Sequence, residues 1–393
     1  MTEIKINQNI SPNKINSLFD EFIPQLNLHD ICLIIPGELS KYRFGLLADI
    51  LKFVITLNSK SRIATLKIDL DKEVIPSLYD QEYAYPIISL LWNTSKFVDK
   101  QNQDIKDLLR LKQNEYFKKM NSLESLKGRK YILSNTDHLS KNNGLIKFLE
   151  NSYGFNDDED YIVTMFKRVL SENVLVFNQQ NSTELLDIIE DIGRIVYELT
   201  KNTYEWGKSD ANSMEFSTSI RGAYFRFHNN SIEKLLEEFS NTPLKEFFNH
   251  SYISENCINE QNRVYYLELL VYDSGIGYIE KFKDGENLHD IDIIKKCLIK
   301  NQTSSDSKLK SKKGLGLDRI LNIINKKGFV RIMTDKYSIY RDLIKDNYVP
   351  TSIEELEKLK LDDWNKSNFK GDDVNKCQGS YISILYPFKK VNN

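Results

Sequence analysis

The sequence predicts an α/β protein made of a small N-terminal domain, a helical connector and a larger C-terminal domain. An apolar strand, an amphipathic helix and a second strand follow one another between residues 30 and 69, which is typical of a βαβ unit. In the second half, a long amphipathic helix precedes several apolar strands. We expect the three parts to cover residues 1–98, 99–160 and 161–393.

Composition narrows the class of protein. The 54 Lys and Arg residues are balanced by 56 Asp and Glu residues, so the overall basic charge of many nucleic-acid-binding proteins is missing and we expect no nucleic acid partner. No apolar run approaches the roughly 20 residues of a membrane-spanning helix, and the first residues lack the layout of a secretory signal. Four scattered cysteines without CxxC spacing indicate free thiols. These features predict a cytoplasmic protein with no membrane contact.

The N-terminal elements follow from local patterns. Asp30–Pro36 reads as a buried strand that Pro36-Gly37 ends, and residues 41–57 carry apolar side chains at helical spacing. Arg62–Asp69 alternates apolar and polar positions, as a second strand does. The polar stretch after residue 99 keeps a helical pattern over 104–120, which favours a helical connector.

The C-terminal elements begin with a helix predicted over residues 183–205. Its apolar side chains form one stripe: Leu185, Ile188, Ile189, Ile192, Val196 and Leu199. Strands are expected at about 215–227, 264–272, 329–334 and 379–385. The polar stretches 228–262 and 336–376 are interpreted as surface insertions.

Two segments carry residue types suited to nucleotide chemistry. Glu198 and Asn202 stand four residues apart and share one helix face, which could present a base and an oxygen ligand for Mg²⁺, although such a pair is usually solvated surface. An apolar strand ends at Asp273, and Gly275 and Gly277 allow a sharp turn there. That carboxylate could accept a hydrogen bond from an exocyclic amine, or the segment could be a simple turn.

Two further segments follow. Glycines at 314 and 316 open an apolar helix after a Ser- and Lys-rich stretch from residue 301, an arrangement suited to binding phosphate under a mobile lid. The alternative is a solvated charge run between helices. Near the C-terminus, Gly379-Ser380 enters an alternating strand that ends at Pro387.

Taken in this order, the four segments resemble the motifs of the GHKL superfamily, which includes type II topoisomerases, ninety-kilodalton heat-shock chaperones, histidine kinases and mismatch-repair proteins. Glu198 to Asn202 resembles its N-box and Asp273 to Gly277 its first glycine box. Gly314 to Leu317 resembles the second glycine box, and the strand from Gly379 resembles the final strand. The resemblance covers about residues 160–390.

The resemblance implies an α/β sandwich, the Bergerat fold, that binds ATP with Mg²⁺. Asn202 would coordinate Mg²⁺, Asp273 would bind the adenine amine, and Glu198 would activate the attacking water. The residues implied to contact the nucleotide are Asn202, Asp273, Gly275, Gly277, Lys312, Lys313, Gly314, Leu315, Gly316 and Ser380. The sequence does not choose between Lys312 and Lys313 as the contact of the γ-phosphate.

The resemblance also has departures. Trp206-Gly207 stands where histidine kinases commonly carry His or Tyr. A histidine kinase also needs a phosphoacceptor, and the surroundings of His138 do not have the usual form of one. The N-terminal domain loosely resembles a STAS module, but any small α/β interaction domain fits it as well.

The functional expectation is an ATP-hydrolysing conformational switch in a bacterial regulatory, stress or defence system. Alternatives are a Ser/Thr kinase of the anti-sigma type, a histidine kinase, or a scaffold that senses ATP without chemistry. We expect a protein partner or a second copy of the chain to bind through the N-terminal domain or the connector.

Overall fold

The structure, a computed structural model, describes residues 1–393 apart from 26–29, 125, 152, 177–181, 283–287, 300–315, 367, 368, 370–374 and 391–393. The strands are β1 (Thr2–Lys5), β2 (Ile31–Pro36), β3 (Ile63–Asp69), β4 (Lys96–Val98), β5 (Lys130–Thr136), β6 (Glu150–Asn151), β7 (Gly154–Phe155), β8 (Ile220–Ser231), β9 (Arg263–Asp273), β10 (Phe329–Thr334), β11 (Tyr337–Asp342), β12 (Asp362–Asp363) and β13 (Ser380–Pro387). The α-helices are α1 (Pro12–Phe22), α2 (Leu46–Lys60), α3 (Ala84–Leu91), α4 (Lys106–Ser122), α5 (Lys141–Gly144), α6 (Glu159–Val169), α7 (Ser182–Trp206), α8 (Ile232–Glu238), α9 (Pro243–Phe248), α10 (Ser251–Asn256), α11 (Tyr278–Phe282), α12 (Asp290–Cys297) and α13 (Gly316–Ile323). Within these ranges, no helix has the length and apolar content needed to cross a membrane.

The N-terminal unit is a parallel α/β sheet, as its strand–helix–strand pattern predicts. Strands β1 to β4 lie side by side in chain order, and every pairing is parallel. Helix α3 is buried throughout and α2 over most of its length, because both sides of each helix meet other elements. Helix α2 contacts β13, and α3 contacts β5 and β8. These two helices therefore join the N-terminal unit to the second sheet.

The second sheet has seven antiparallel strands in the order β12–β11–β10–β13–β9–β8–β5. Side chains alternate between its two faces, so neighbours along β9 point to opposite sides. Val271 and Asp273 face the C-terminal half of α7. Glu268 faces the N-terminal unit, where it contacts Tyr42 and Gly45. Both faces of this sheet are thus covered.

Three expectations from the sequence need correction. The connector region contains β5, an edge strand of the large sheet, and is not helical throughout. The stretch 336–376 contributes β11 and β12 to the same sheet, where β11 pairs with β10. The stretch 228–262 holds the end of β8 and the helices α8 to α10, and the aromatic side chains of these helices pack on the sheet beside Phe329 and Leu385. The sequence did not predict this packing, because polar residues stand between these aromatic residues.

A buried carboxylate lies where the N-terminal unit meets the large sheet. Glu268 is fully buried and accepts hydrogen bonds from Tyr42 Oη (3.0 Å) and the backbone N–H of Gly45 (2.9 Å). Its other oxygen lies 2.7 Å from Nε2 of His228, the ring of which stacks on Tyr266. Burial lowers the pKa of His228, with the bond to Glu268 opposing that shift. Among the described residues, the Tyr42 hydroxyl, the Gly45 N–H and Nε2 of His228 all bond to this one carboxylate.

We predict that Glu268→Ala lowers the free energy of unfolding by about 3 kcal/mol or more, because it leaves several buried donors without an acceptor. Chemical denaturation measures the loss. Glu233→Ala is the control, since that exposed glutamate on α8 should change stability by no more than about 0.5 kcal/mol. Equal losses in the two variants would contradict the role given to Glu268.

Candidate functional site

A cleft lies between the C-terminal half of α7 and the strands β9 and β13. It is narrow: its cavity volume is about 20 Å³, within about 430 Å³ of space that includes the open mouth. Its walls are formed by Leu199, Asn202, Thr203, Trp206, Val271, Asp273, Gly277, Tyr278, Ser380 and Ile382. Four residues that the sequence analysis selected, Asn202, Asp273, Gly277 and Ser380, therefore meet in one place.

Helix α7 supplies one wall because its apolar stripe fixes its rotation on the sheet. Ile192, Val196 and Leu199 are buried on the side that packs inward. The next turn brings Asn202 to the cleft. Glu198 is 9% exposed and lies one turn earlier, about 6 Å along the axis, outside the residues that line the cleft.

Asp273 ends β9 and stands in register with Ser380 on β13 and Arg221 on β8. Its Oδ1 accepts a hydrogen bond from the backbone N–H of Gly275 (2.8 Å). Burial raises the pKa of Asp273 to about 7, while the N–H groups of Gly275 and Ser380 and the charge of Arg221 oppose that shift. The neighbouring N–H groups and Arg221 offset only part of the cost of burying this carboxyl group, so it is suited to accept a hydrogen bond from a ligand.

Three glycines lie beside Asp273, at positions where a side chain would clash with neighbouring atoms. A Cβ on Gly379, where φ is +89°, would lie 2.1 Å from the carbonyl oxygen of Asp273. Gly277 has a φ of +86°, and a Cβ there would lie 2.5 Å from Asp335 Oδ2. A Cβ on Gly275 would lie 2.7 Å from the carbonyl oxygen of Trp206. The turn after Asp273 thus depends on glycine both for its conformation and for its close contacts.

The structure adds residues that the sequence analysis did not select. Thr334 Oγ1, at the end of β10, accepts from the N–H of Tyr278 (3.0 Å) and donates to Asp335 (3.1 Å). Asp335 Oδ2 accepts from the N–H of Ile279 (3.1 Å). These bonds hold the start of α11 at the cleft. The available signal was a polar residue that ends an apolar strand and is followed by an aspartate.

Gln378 is a third residue that the sequence analysis did not select. Its Nε2 donates to the carbonyl oxygens of Ser274 (2.9 Å) and Gly275 (2.6 Å). Its backbone N–H donates to Thr56 Oγ1 on α2 (2.9 Å), and its Oε1 accepts from Ser59 (3.3 Å). Gln378 therefore connects the turn beside Asp273 to the N-terminal unit.

Charged side chains surround Glu198 at the junction of α6, α7 and α13. Burial raises the pKa of Glu198, Glu159 raises it further, and Lys201 and Arg319 oppose both effects. Glu159 itself accepts from Arg194 (2.6 Å) and lies 3.4 Å from Arg319. Arg319 belongs to α13, the helix that Gly316 opens and that packs against α7. The other candidates of the second glycine box, Lys312, Lys313, Gly314 and Leu315, lie outside the described residues.

His138 has a structural position. Its Nδ1 accepts from the N–H of Ser219 (3.1 Å), and its Nε2 lies 3.1 Å from the carbonyl oxygen of Ser89 on α3. Burial lowers the pKa of this imidazole. Both ring nitrogens are therefore engaged between the two sheets, which disfavours a phosphoacceptor role.

Neither family models, nor curated proteins, nor solved structures give a match to this chain.

We predict that Asp273→Asn changes how stability depends on pH. A free aspartate ionises near pH 3.9 and Asp273 in the fold near 7, so the wild type loses stability relative to the variant as pH rises between these values. One pKa unit equals about 1.4 kcal/mol, so the relative gain of the variant approaches about 4 kcal/mol at most.

Denaturant titrations of both proteins at pH 4 to 8 measure this gain. Asp160→Asn, which changes a carboxylate that is 90% exposed, serves as the control. A stability difference between wild type and Asp273→Asn that stays constant with pH would contradict the prediction.

Proposed function

We propose that the cleft binds ATP with Mg²⁺ and that the protein hydrolyses ATP as a member of the GHKL superfamily, with a Bergerat-type C-terminal domain. One observation carries the proposal: Asp273, its glycine turn and Asn202 of α7 line the same cleft although they are far apart in sequence. Motifs that are weak one by one thereby become one site with the chemistry that a nucleotide needs.

Adenine recognition falls to Asp273. An ionised carboxylate accepts a hydrogen bond from the exocyclic amine of adenine, whereas guanine offers a carbonyl oxygen at the same ring position. Two acceptors facing each other repel, so the site selects ATP over GTP. Val271 and Ile382 supply apolar walls for the ring.

The phosphate end of the site uses α7. Mg²⁺ prefers oxygen ligands and keeps several waters and substrate phosphates, so the single amide oxygen of Asn202 at the cleft is a fitting protein contribution. When bound, the ion neutralises phosphate charge. Glu198 is our candidate general base, because burial moves its pKa upward, toward the range where it can accept a proton from water.

Nucleotide preference tests the role of Asp273. Asp273→Asn supplies an amide that can donate to guanine, so we expect the ratio of ATP to GTP affinity to fall about tenfold or more. In the wild type the preference should grow from pH 6 to pH 8, as the carboxyl group ionises around pH 7. Calorimetric titration with each nucleotide gives both ratios, and a ratio independent of the variant and of pH would remove Asp273 from adenine recognition.

Hydrolysis tests Glu198 and Asn202. Glu198→Gln should bind ATP normally and release phosphate at least about 100-fold more slowly, since general-base catalysis contributes roughly 10²–10⁴-fold. Asn202→Ala should lose the Mg²⁺-dependent part of ATP affinity. Glu190→Gln, a half-exposed glutamate on the same helix, is the matched control.

Each outcome of that assay has a meaning. Unchanged phosphate release by Glu198→Gln would contradict the assignment of Glu198 as the general base. Tight ATP binding without phosphate release by the wild type would favour the sensor, and label transferred to protein would favour the kinase. Failure to bind ATP at all would overturn the proposed function.

The switch part of the proposal rests on Gln378. The side chain of this residue bonds the turn beside Asp273, and its backbone N–H bonds α2. A ligand that shifts the turn therefore also displaces the N-terminal unit. That unit would present the change to a protein partner or to a second copy of the chain.

Thr56→Val tests this connection, because it removes the oxygen that accepts from Gln378 and keeps the shape of the side chain. We expect ATP to slow amide hydrogen exchange in α2 of the wild type and to do so much less in the variant. Thr164→Val on α6 is the control, since that hydroxyl bonds only within its own helix among the described contacts. Identical exchange in α2 with and without ATP would contradict the coupling.

A further inference from the structure

A second cleft opens at the carboxyl ends of β1, β2 and β3. It measures about 1070 Å³ and lies between the loops that follow these strands and the segment that leads into β5. The loops that follow three neighbouring parallel strands thus meet at one edge of the sheet. This cleft shares no lining residue with the cleft at Asp273.

The walls of this cleft are polar and positively charged. Six Lys or Arg side chains and three Asp or Glu side chains line it. Lys5 pairs with Asp69 (2.8 Å) and Lys127 with Asp80 (2.5 Å), both at exposed positions where an incoming anion can compete. Exposed ion pairs of this kind are weak, so they offer little resistance to a ligand with more charge.

Four further cations line the cleft. Lys130 and Arg226 share the single buried carboxylate of Glu82. The side chain of Lys14 has no ion pair or hydrogen bond within the part of the chain that the structure describes. Arg129 lies over the ring of Phe227, 5.6 Å from its centre. The cleft therefore carries an excess of positive charge near its mouth.

The loop after β2 is held in place. Gln81 Oε1 accepts from the N–H of Leu39 (3.2 Å), and Tyr83 Oη donates to the carbonyl oxygen of Pro36 (2.6 Å). A Cβ on Gly37 would lie 2.2 Å from Leu70, so the loops after β2 and β3 touch directly. A wall fixed in this way loses little entropy when a ligand binds.

We propose that this cleft binds a small phosphorylated molecule, with Lys14, Lys127 and Arg129 contacting phosphate and the amides of Asn7 to Asn9 bonding the polar remainder. Ligand sites commonly measure about 300–1,000 Å³, so the cleft has room for a body much larger than one phosphate group. The proposal is independent of ATP hydrolysis at Asp273.

The test uses the full chain carrying Asp273→Asn and Asn202→Ala, which weakens the first cleft and leaves the second unchanged. Inorganic phosphate, pyrophosphate and nucleoside monophosphates are titrated calorimetrically, and an acidic peptide of glutamates is titrated in parallel. We expect pyrophosphate to bind more tightly than phosphate and its affinity to fall as salt is raised.

Two variants locate the binding. Lys14→Glu and Arg129→Glu, both at exposed positions, should each weaken pyrophosphate binding about tenfold or more. Lys118→Glu, an exposed lysine of α4 outside the cleft, should leave it unchanged. Hydrogen exchange should slow at residues 7–9 and 37–40 when pyrophosphate binds.

Three results would overturn the proposal. The first is no binding of any phosphate compound at millimolar concentration. The second is binding that Lys14→Glu and Arg129→Glu leave intact. The third is binding of the glutamate peptide alone, which would make the cleft a protein-docking surface.

Discussion

Because both faces of the seven-stranded sheet are buried, every polar group on them needs a partner from another element. Glu268 has three such partners, and the Arg331 guanidinium meets Asp49 of α2 (3.2 Å) while lying over the ring of Trp364. Asp273, on the opposite face, is different. Its bonds come mainly from backbone N–H groups, and burial still raises its pKa to about 7. The carboxyl group at the candidate site is therefore compensated mainly by backbone N–H groups and keeps a raised pKa.

The same burial explains why the site and the N-terminal unit are in contact. Helix α2 covers the face opposite to α7, and its Thr56 reaches the turn that precedes β13. One side of the sheet thus carries the nucleotide chemistry that we propose, and the other side carries the unit that would respond. Only the thickness of one sheet separates them.

Local patterns in the sequence predicted most regular elements. The apolar stripe located α7 to within one residue at each end, alternation located β3 and β13 closely, and an apolar run located β9. Spacing alone did not show that Asn202 and Asp273 share a cleft; the ordered resemblance implied it. The sequence pattern did not predict β5, because its apolar signal, Tyr131-Ile132-Leu133, is short and lies within a polar stretch. Gln378 was also missed, since its role depends on partners hundreds of residues away.

The position of β13 has a consequence for the order of folding. This strand lies between β9 and β10, yet it comes after both in the chain. When all residues before β13 have left the ribosome, every other strand of the sheet is available to pair, but β9 and β10 still have no strand between them. The sheet therefore closes late, by insertion of a strand between two edges that are already formed, and such non-local pairing is slow. Until then those edges present open backbone groups to other chains, so this protein has a period of vulnerability during synthesis that ends only when β13 is in place.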